Sequence, residues 1–124
     1  MKKLLVIDDE EYFCRAVKKA IEMKRDLQVL TATRGDEGLR LARTQKPDLI
    51  LLDIVMPGMM GTQVAEELLQ DPDTASIPVI FVTAIVKKEE AEREMGFLGG
   101  RMFIAKPVVV DELLKKIDSL LSSQ

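Results

Sequence analysis

The chain has 124 residues, 47% hydrophobic and 31% charged, which suits one globular domain with its own apolar core. Its 18 basic and 21 acidic residues leave a net charge of −3, and the basic residues include only scattered pairs such as Lys18-Lys19 and Lys115-Lys116, which argues against a nucleic-acid partner. There is no histidine and one cysteine, Cys14, so histidine-based metal sites, histidine triads, a phosphohistidine on this chain and an internal disulfide are all excluded.

In chain order, Met1-Lys2-Lys3 precedes only four apolar residues, too few for a secretory leader, and no run approaches a membrane span. A cytoplasmic protein with no membrane partner is therefore expected. Leu4-Leu5-Val6-Ile7 reads as a first strand closed by Asp8 and Asp9. Phe13, Ala16, Val17, Ala20 and Ile21 then recur at helical spacing, with Cys14 a small residue on that helix's flank. Residues 27–32 form a second strand, and Gly35-Asp36-Glu37 opens a helix to about Thr44. A third strand at 49–52 ends in Asp53, and Pro57-Gly58 marks a loop. Thr62 is a candidate N-cap for a helix bearing Val64, Ala65, Leu68 and Leu69, which Asp71-Pro72-Asp73 ends. The fourth strand is Val79–Val82, followed by Thr83. A charged, weak helix is expected over Lys87–Met95, with Gly96, Gly99 and Gly100 ahead of a fifth strand at 102–105. Lys106-Pro107 follows, and Val110, Leu113, Leu114, Ile117, Leu120 and Leu121 mark the last helix.

Five strand–helix repeats with short, wholly apolar strands predict a doubly wound α/β domain over residues 1–124. Its five parallel strands are buried between helices on both faces, in order 2-1-3-4-5. In such a sheet, active groups gather outside the carboxyl ends of the strands, so Asp8, Asp9, Asp53, Thr83 and Lys106 should converge. Three crowded carboxylates repel one another unless a cation intervenes, and Mg²⁺ is the hard ion that suits them. Asp8-Asp9 taken alone reads instead as a helix N-cap before the first-turn acids Glu10 and Glu11. Thr83 alone reads as a cap or a β-branched strand end. Asp53 is harder to dismiss, because an unpartnered carboxylate beside a buried edge is costly. A carboxylate can attack phosphorus to give a labile acyl phosphate, and a cation, an amine and a hydroxyl around it would neutralise the transferring oxygens.

Asp8-Asp9, Asp53 with Met56-Pro57-Gly58, Thr83-Ala84 and Lys106-Pro107, in that order along essentially the whole chain, resemble the receiver domain of two-component response regulators. The resemblance implies a flavodoxin-like fold like that of the chemotaxis regulators. It implies a phosphoacceptor at Asp53, with phosphate drawn from a sensor histidine kinase or a histidine phosphotransfer protein. It implies Mg²⁺ held by Asp9, Asp53 and the main-chain carbonyl of Val55, with Asp8 acting through water. It also implies that Lys106 contacts the phosphate and that the Lys106–Pro107 bond is cis. A switch would then move Thr83 to the phosphoryl oxygen while Phe103 turns inward, although Phe103 reads equally well as plain core. The face made by the Lys87–Met95 helix, the fifth strand and the last helix would pass the signal to a downstream protein, as a monomer or a phosphorylation-dependent dimer.

Val55 and Ile85, two residues after Asp53 and Thr83, are apolar where polar residues would hold an attacking water, so they are expected to shield the acyl phosphate and slow its loss. Arg101, beside Gly99-Gly100, is a candidate for altering partner choice, and the loop methionines Met56, Met59 and Met60 are candidate packing or partner contacts. Other functions remain on the same fold. A protein-interaction module that ignores phosphate would lack part of the acid set, which is complete here. A magnesium-dependent phosphohydrolase with an aspartyl nucleophile would need a second aspartate at position 55. A flavin module is disfavoured by one tyrosine, no tryptophan and no Gly/Ser/Thr-rich phosphate loop after the first strand.

Overall fold

The computed structural model describes residues 1–84 and 102–122. The expected Lys87–Met95 helix, the glycines 96, 99 and 100, Ile85 and Arg101 lie outside the described residues. The elements in order are β1 (Lys2–Ile7), α1 (Glu11–Lys24), β2 (Leu27–Ala32), α2 (Gly35–Gln45), β3 (Leu49–Asp53), α3 (Gly61–Gln70), β4 (Val79–Thr83), β5 (Phe103–Ala105) and α4 (Val110–Ser122). The five strands form one parallel sheet in the order β2-β1-β3-β4-β5.

Strand side chains alternate between faces, and here both faces are covered, so every residue of a strand's apolar run is useful. Leu4 and Val6 of β1, Leu49 and Leu51 of β3 and Ile80 and Val82 of β4 meet Cys14, Val17 and Ile21 of α1 and Leu113, Leu114 and Ile117 of α4. The intervening Leu5, Ile7, Ile50, Leu52, Val79 and Phe81 face the other way, onto Leu39 and Ala42 of α2 and Val64, Ala65 and Leu68 of α3. Cys14 is thus a core residue rather than one on the helix's flank.

Four local expectations need correction. Thr62 is not the N-cap of α3. Met60 holds that position, and its N–H donates to Gln63 Oε1 at 2.9 Å. Leu69 is exposed rather than part of the apolar face, because it lies one helical step beyond the buried Leu68. The Asp8-Asp9 pair does not cap α1 either. The cap position is Glu10, whose N–H donates to Asp8 Oδ1 at 2.9 Å. Asp53 and Thr83 belong to their strands rather than following them.

Two contacts fix the two ends of β3. Asp48 Oδ2 accepts from the Lys3 N–H at 2.8 Å and ties the entry of β3 to β1. At the other end, Gly61 N–H donates to Ile54 O at 2.7 Å, which seats the start of α3 against the end of β3. A Cβ on residue 61 would stand 2.0 Å from the Asp53 carbonyl oxygen and 2.8 Å from Ile54 Cα, both backbone atoms with little room to yield. Gly61→Ala should therefore lower stability by at least ~2 kcal/mol, read as a reduced urea midpoint with unchanged slope.

Candidate functional site

The strand register assembles the site. Ile7 pairs with Leu52, so Asp8 and Asp53, each the next residue along, emerge side by side at the carboxyl edge of β1 and β3. Asp53 pairs with Val82 on β4, which sets Thr83 one step further. Thr83 pairs with Ala105 on β5, and Lys106 follows, its N–H donating to Thr83 O at 2.7 Å. The crevice sits where the chain order reverses between β1 and β3, the usual ligand position in an open α/β sheet. The Lys106–Pro107 bond is cis.

Asp8, Asp9 and Asp53 each offer a ligand atom, and these atoms lie within 4.8 Å of one another; Asp8 and Asp53 are buried and Asp9 is exposed. Lys106 Nζ lies 2.9 Å from Asp8 Oδ2 and 4.0 Å from Asp53 Oδ2. It also donates to Glu10 Oε1 at 2.9 Å and stands 4.5 Å above the centre of the Phe13 ring. The approach to Asp8 Oδ2 is a close charge contact without a well-directed hydrogen bond, so this buried oxygen has no hydrogen-bond partner.

The proton affinities follow from the crowding. Burial, then the charge of Asp8, push Asp53 up to about 7, against the opposing pull of Lys106. Burial alone would lower Lys106, but its close charge contact with Asp8 and its bond to Glu10 outweigh that and raise it, so the ammonium stays charged. Burial and the nearby Asp8 push the Cys14 thiol up to about 12, and its S–H donates to Asp8 O at 3.3 Å, so it is a packed thiol and no nucleophile. A buried carboxylate oxygen lacking a partner, beside a carboxyl reluctant to ionise, is a donor set that fits a hard divalent cation.

Of the residues singled out from the sequence, Asp8, Asp9, Asp53, Thr83 and Lys106 share this edge. Thr83 is buried. Phe103 is half-buried, opposite Phe81, and packs on the face shared with α2 and α3. Val55 is 64% exposed beside the site. Met56 is buried in the core, Met59 packs against it and Met60 is partly exposed, so two of the three loop methionines are packing residues. Nothing in the residue order signals that Glu10 and Phe13 contact Lys106. Glu10 read as a first-turn acid and Phe13 as core, and 96 residues separate Glu10 from Lys106.

A family model, the response regulator receiver domain, matches residues 4–118. The chain belongs to that family. It is 40% identical to protein PilH of Pseudomonas aeruginosa over 98% of this chain and 99% of that protein. It is 35% identical to the polar-differentiation response regulator DivK of Brucella anthropi over 97% and 96% respectively. The alkaline phosphatase synthesis regulator PhoP of Bacillus subtilis is also 35% identical, but there the chain spans only 48% of the relative. Among solved structures, the receiver domain of the Francisella response regulator 1452 superposes with a TM-score of 0.86 at 27% identity, covering 99% of this chain and 98% of that one. The chemotaxis protein CheY4 of Vibrio cholerae gives 0.85 at 25% identity, covering 97% and 98%. The protein is thus a phosphoacceptor receiver of two-component signalling, a signalling module rather than a conventional enzyme, and its acidic crevice is where such receivers bind metal. Among the described residues, no helix is long and apolar enough to cross a membrane.

The raised Asp53 carboxyl has a consequence for stability. In the folded, metal-free receiver this group keeps its proton up to about pH 7, against 3.8 for a free side chain. Between those values the folded state binds more protons than the unfolded state, so stability falls as pH rises through the window and stays low above it. Asp53→Asn removes the loss. At pH 8 without divalent cation the variant should be more stable than the parent by ~2 kcal/mol, several degrees in Tm. The gap should close toward pH 4 and on adding Mg²⁺, both readable by thermal denaturation.

Proposed function

We propose that Asp53 is the phosphoacceptor and that phosphoryl transfer to it depends on Mg²⁺. The single observation that carries this is the position of a buried, strand-terminal carboxylate beside a second buried carboxylate whose Oδ2 has no hydrogen bond, with an ammonium 4.0 Å away. A carboxylate oxygen of Asp53 attacks the phosphorus of a phosphohistidine, and the P–N bond breaks with its electron pair left on the imidazole, which takes up a proton. An acyl phosphate remains on Asp53. Lys106 is close enough to meet one of the new phosphoryl oxygens. Mg²⁺ would be held by Asp9, Asp53 and the main-chain carbonyl of Val55, with Asp8 acting through water. When bound, it supplies charge neutralisation at the transferring oxygens.

The donor in this reading is a sensor histidine kinase or a histidine phosphotransfer protein. The protein catalyses only its own phosphorylation and its return. The Thr83 hydroxyl then moves to the phosphoryl group and Phe103 turns into the space vacated, a population shift that a downstream protein reads in the cytoplasm. Phe103 is half-buried and only partly packed on the face shared with α2 and α3, which is the setting this reading needs. The output face would include β5, α4 and the segment 87–95. The receiver would act either as a monomer or by dimerising on phosphorylation.

The test is intact mass after incubation with acetyl phosphate. A single phosphoryl adduct is expected on wild type with Mg²⁺, and none on Asp53→Asn or when Mg²⁺ is removed by chelation. An adduct on Asp53→Asn would place the acceptor elsewhere.

Val55, exposed beside the acceptor, and Ile85 would shield the acyl phosphate from water. Val55→Asn introduces an amide that can hold an attacking water. Its phosphorylated form should decay several-fold faster than the parent's, measured as loss of the adduct with time. An equal rate would remove Val55 from that role.

A further inference from the structure

The Lys106 ammonium has three N–H groups, and what they meet differs from what phosphoryl transfer at Asp53 would ask of them. One donates to Glu10 Oε1 at 2.9 Å. Asp8 Oδ2 lies at the same distance, the Phe13 ring face is 4.5 Å away, and Asp53 Oδ2 stands at 4.0 Å, outside hydrogen-bond range. Glu10 is well placed to keep the ammonium there. Its N–H donates to Asp8 Oδ1 at 2.9 Å and its C=O accepts from the Cys14 N–H at 3.1 Å, so its backbone is fixed at the head of α1. Its carboxylate is 62% exposed and reaches across the mouth of the crevice to a lysine 96 residues away. The next acid, Glu11, is equally exposed but pairs with Arg15 on its own helix.

We infer that Glu10 is a positioning residue that holds the Lys106 ammonium off Asp53 and so restrains phosphoryl transfer. The inference rests on Asp53 as the acceptor and deepens that assignment. A phosphoryl group on Asp53 brings more negative charge to a less solvated place than Glu10 offers, so the ammonium changes partner once transfer is under way. Before transfer, leaving Glu10 adds to the barrier. The Glu10 end of the pair is solvent-exposed, so the restraint is small and sensitive to salt.

The experiment compares wild type, Glu10→Gln, Glu10→Ala and Glu11→Gln. The initial rate of adduct formation from acetyl phosphate is measured by intact mass, with each variant saturated in Mg²⁺. Glu11→Gln removes the same charge one residue away without touching Lys106, which separates a general effect on an anionic donor from an effect through the lysine. Both Glu10 variants should react about two- to fivefold faster than wild type, with Glu11→Gln unchanged and the difference closing at about 0.5 M salt. In the metal-free proteins, the Lys106 side-chain ¹⁵N resonance should move in Glu10→Gln and stay in place in Glu11→Gln, a signature that a merely structural cap would not give. Unchanged or slower transfer in the Glu10 variants would overturn the inference, as would equal acceleration in Glu11→Gln or a Lys106 resonance indifferent to Glu10. Such results on a wild type that still forms the adduct leave Asp53 as the acceptor. A wild type that forms no adduct removes that assignment and the restraint with it.

Discussion

The constraint on which this molecule turns is the forced proximity of Asp8 and Asp53. Ile7 and Leu52 are paired within the sheet, so the next residue of each strand must emerge beside the other. Both side chains are buried at that edge. Two carboxylates so placed cannot both ionise cheaply, and the strain falls on Asp53, whose proton affinity is raised mainly by burial and then by Asp8. A third carboxylate, Asp9, adds to the negative potential from the exposed side. The site is therefore built short of positive charge.

Among the described residues, one ammonium meets part of that shortage. Lys106 reaches the crevice from the far side of the sheet, carried there by the β4–β5 pairing and by its backbone bond to Thr83. It stays protonated because its partners outweigh its burial. A single positive charge among Asp8, Glu10, Asp53 and the Phe13 ring is shared, and it sits closer to Asp8 and Glu10 than to Asp53. The buried oxygen of Asp8 that lacks a hydrogen bond is the remaining deficit. A divalent cation and a phosphoryl group change this balance in opposite directions. That is the physical reason an acidic crevice with one lysine can respond to phosphate as a switch.

The rest of the fold keeps these groups in place. The two apolar layers hold β1 and β3 rigidly in register, so the separation of the carboxylates is not adjustable from within the sheet. Gly61 lets α3 begin almost on top of the Asp53 carbonyl, and Cys14 bonds the Asp8 backbone from below. Charged residues distant from the crevice are paired with one another instead. Asp71, for example, is held down by the Asp73 N–H and by Arg43, and it closes α3 rather than taking part in the site.

Much of this was legible in the amino-acid order alone. Runs of four apolar residues ending in acids or lysine implied strands buried on both faces, and the parallel order placed Asp8, Asp9, Asp53, Thr83 and Lys106 at one edge, because side-chain alternation and right-handed crossovers leave few other arrangements. What the sequence could not set was the partner of each polar group. Glu10 looked like a helix-start acid and Phe13 like core, since pattern reading compares neighbours a few positions apart, whereas their contact with Lys106 spans the whole chain and depends on how far α1 leans over the crevice. Thr62 looked like a cap because it has a capping side chain, but the close seat of Gly61 on β3 starts the helix two residues earlier. Local periodicity determined which residues are buried and which end a strand. Tertiary packing decided which charges meet, because distances of a few ångströms between remote segments follow from the stacking of helices on the sheet and leave no trace in sequence spacing.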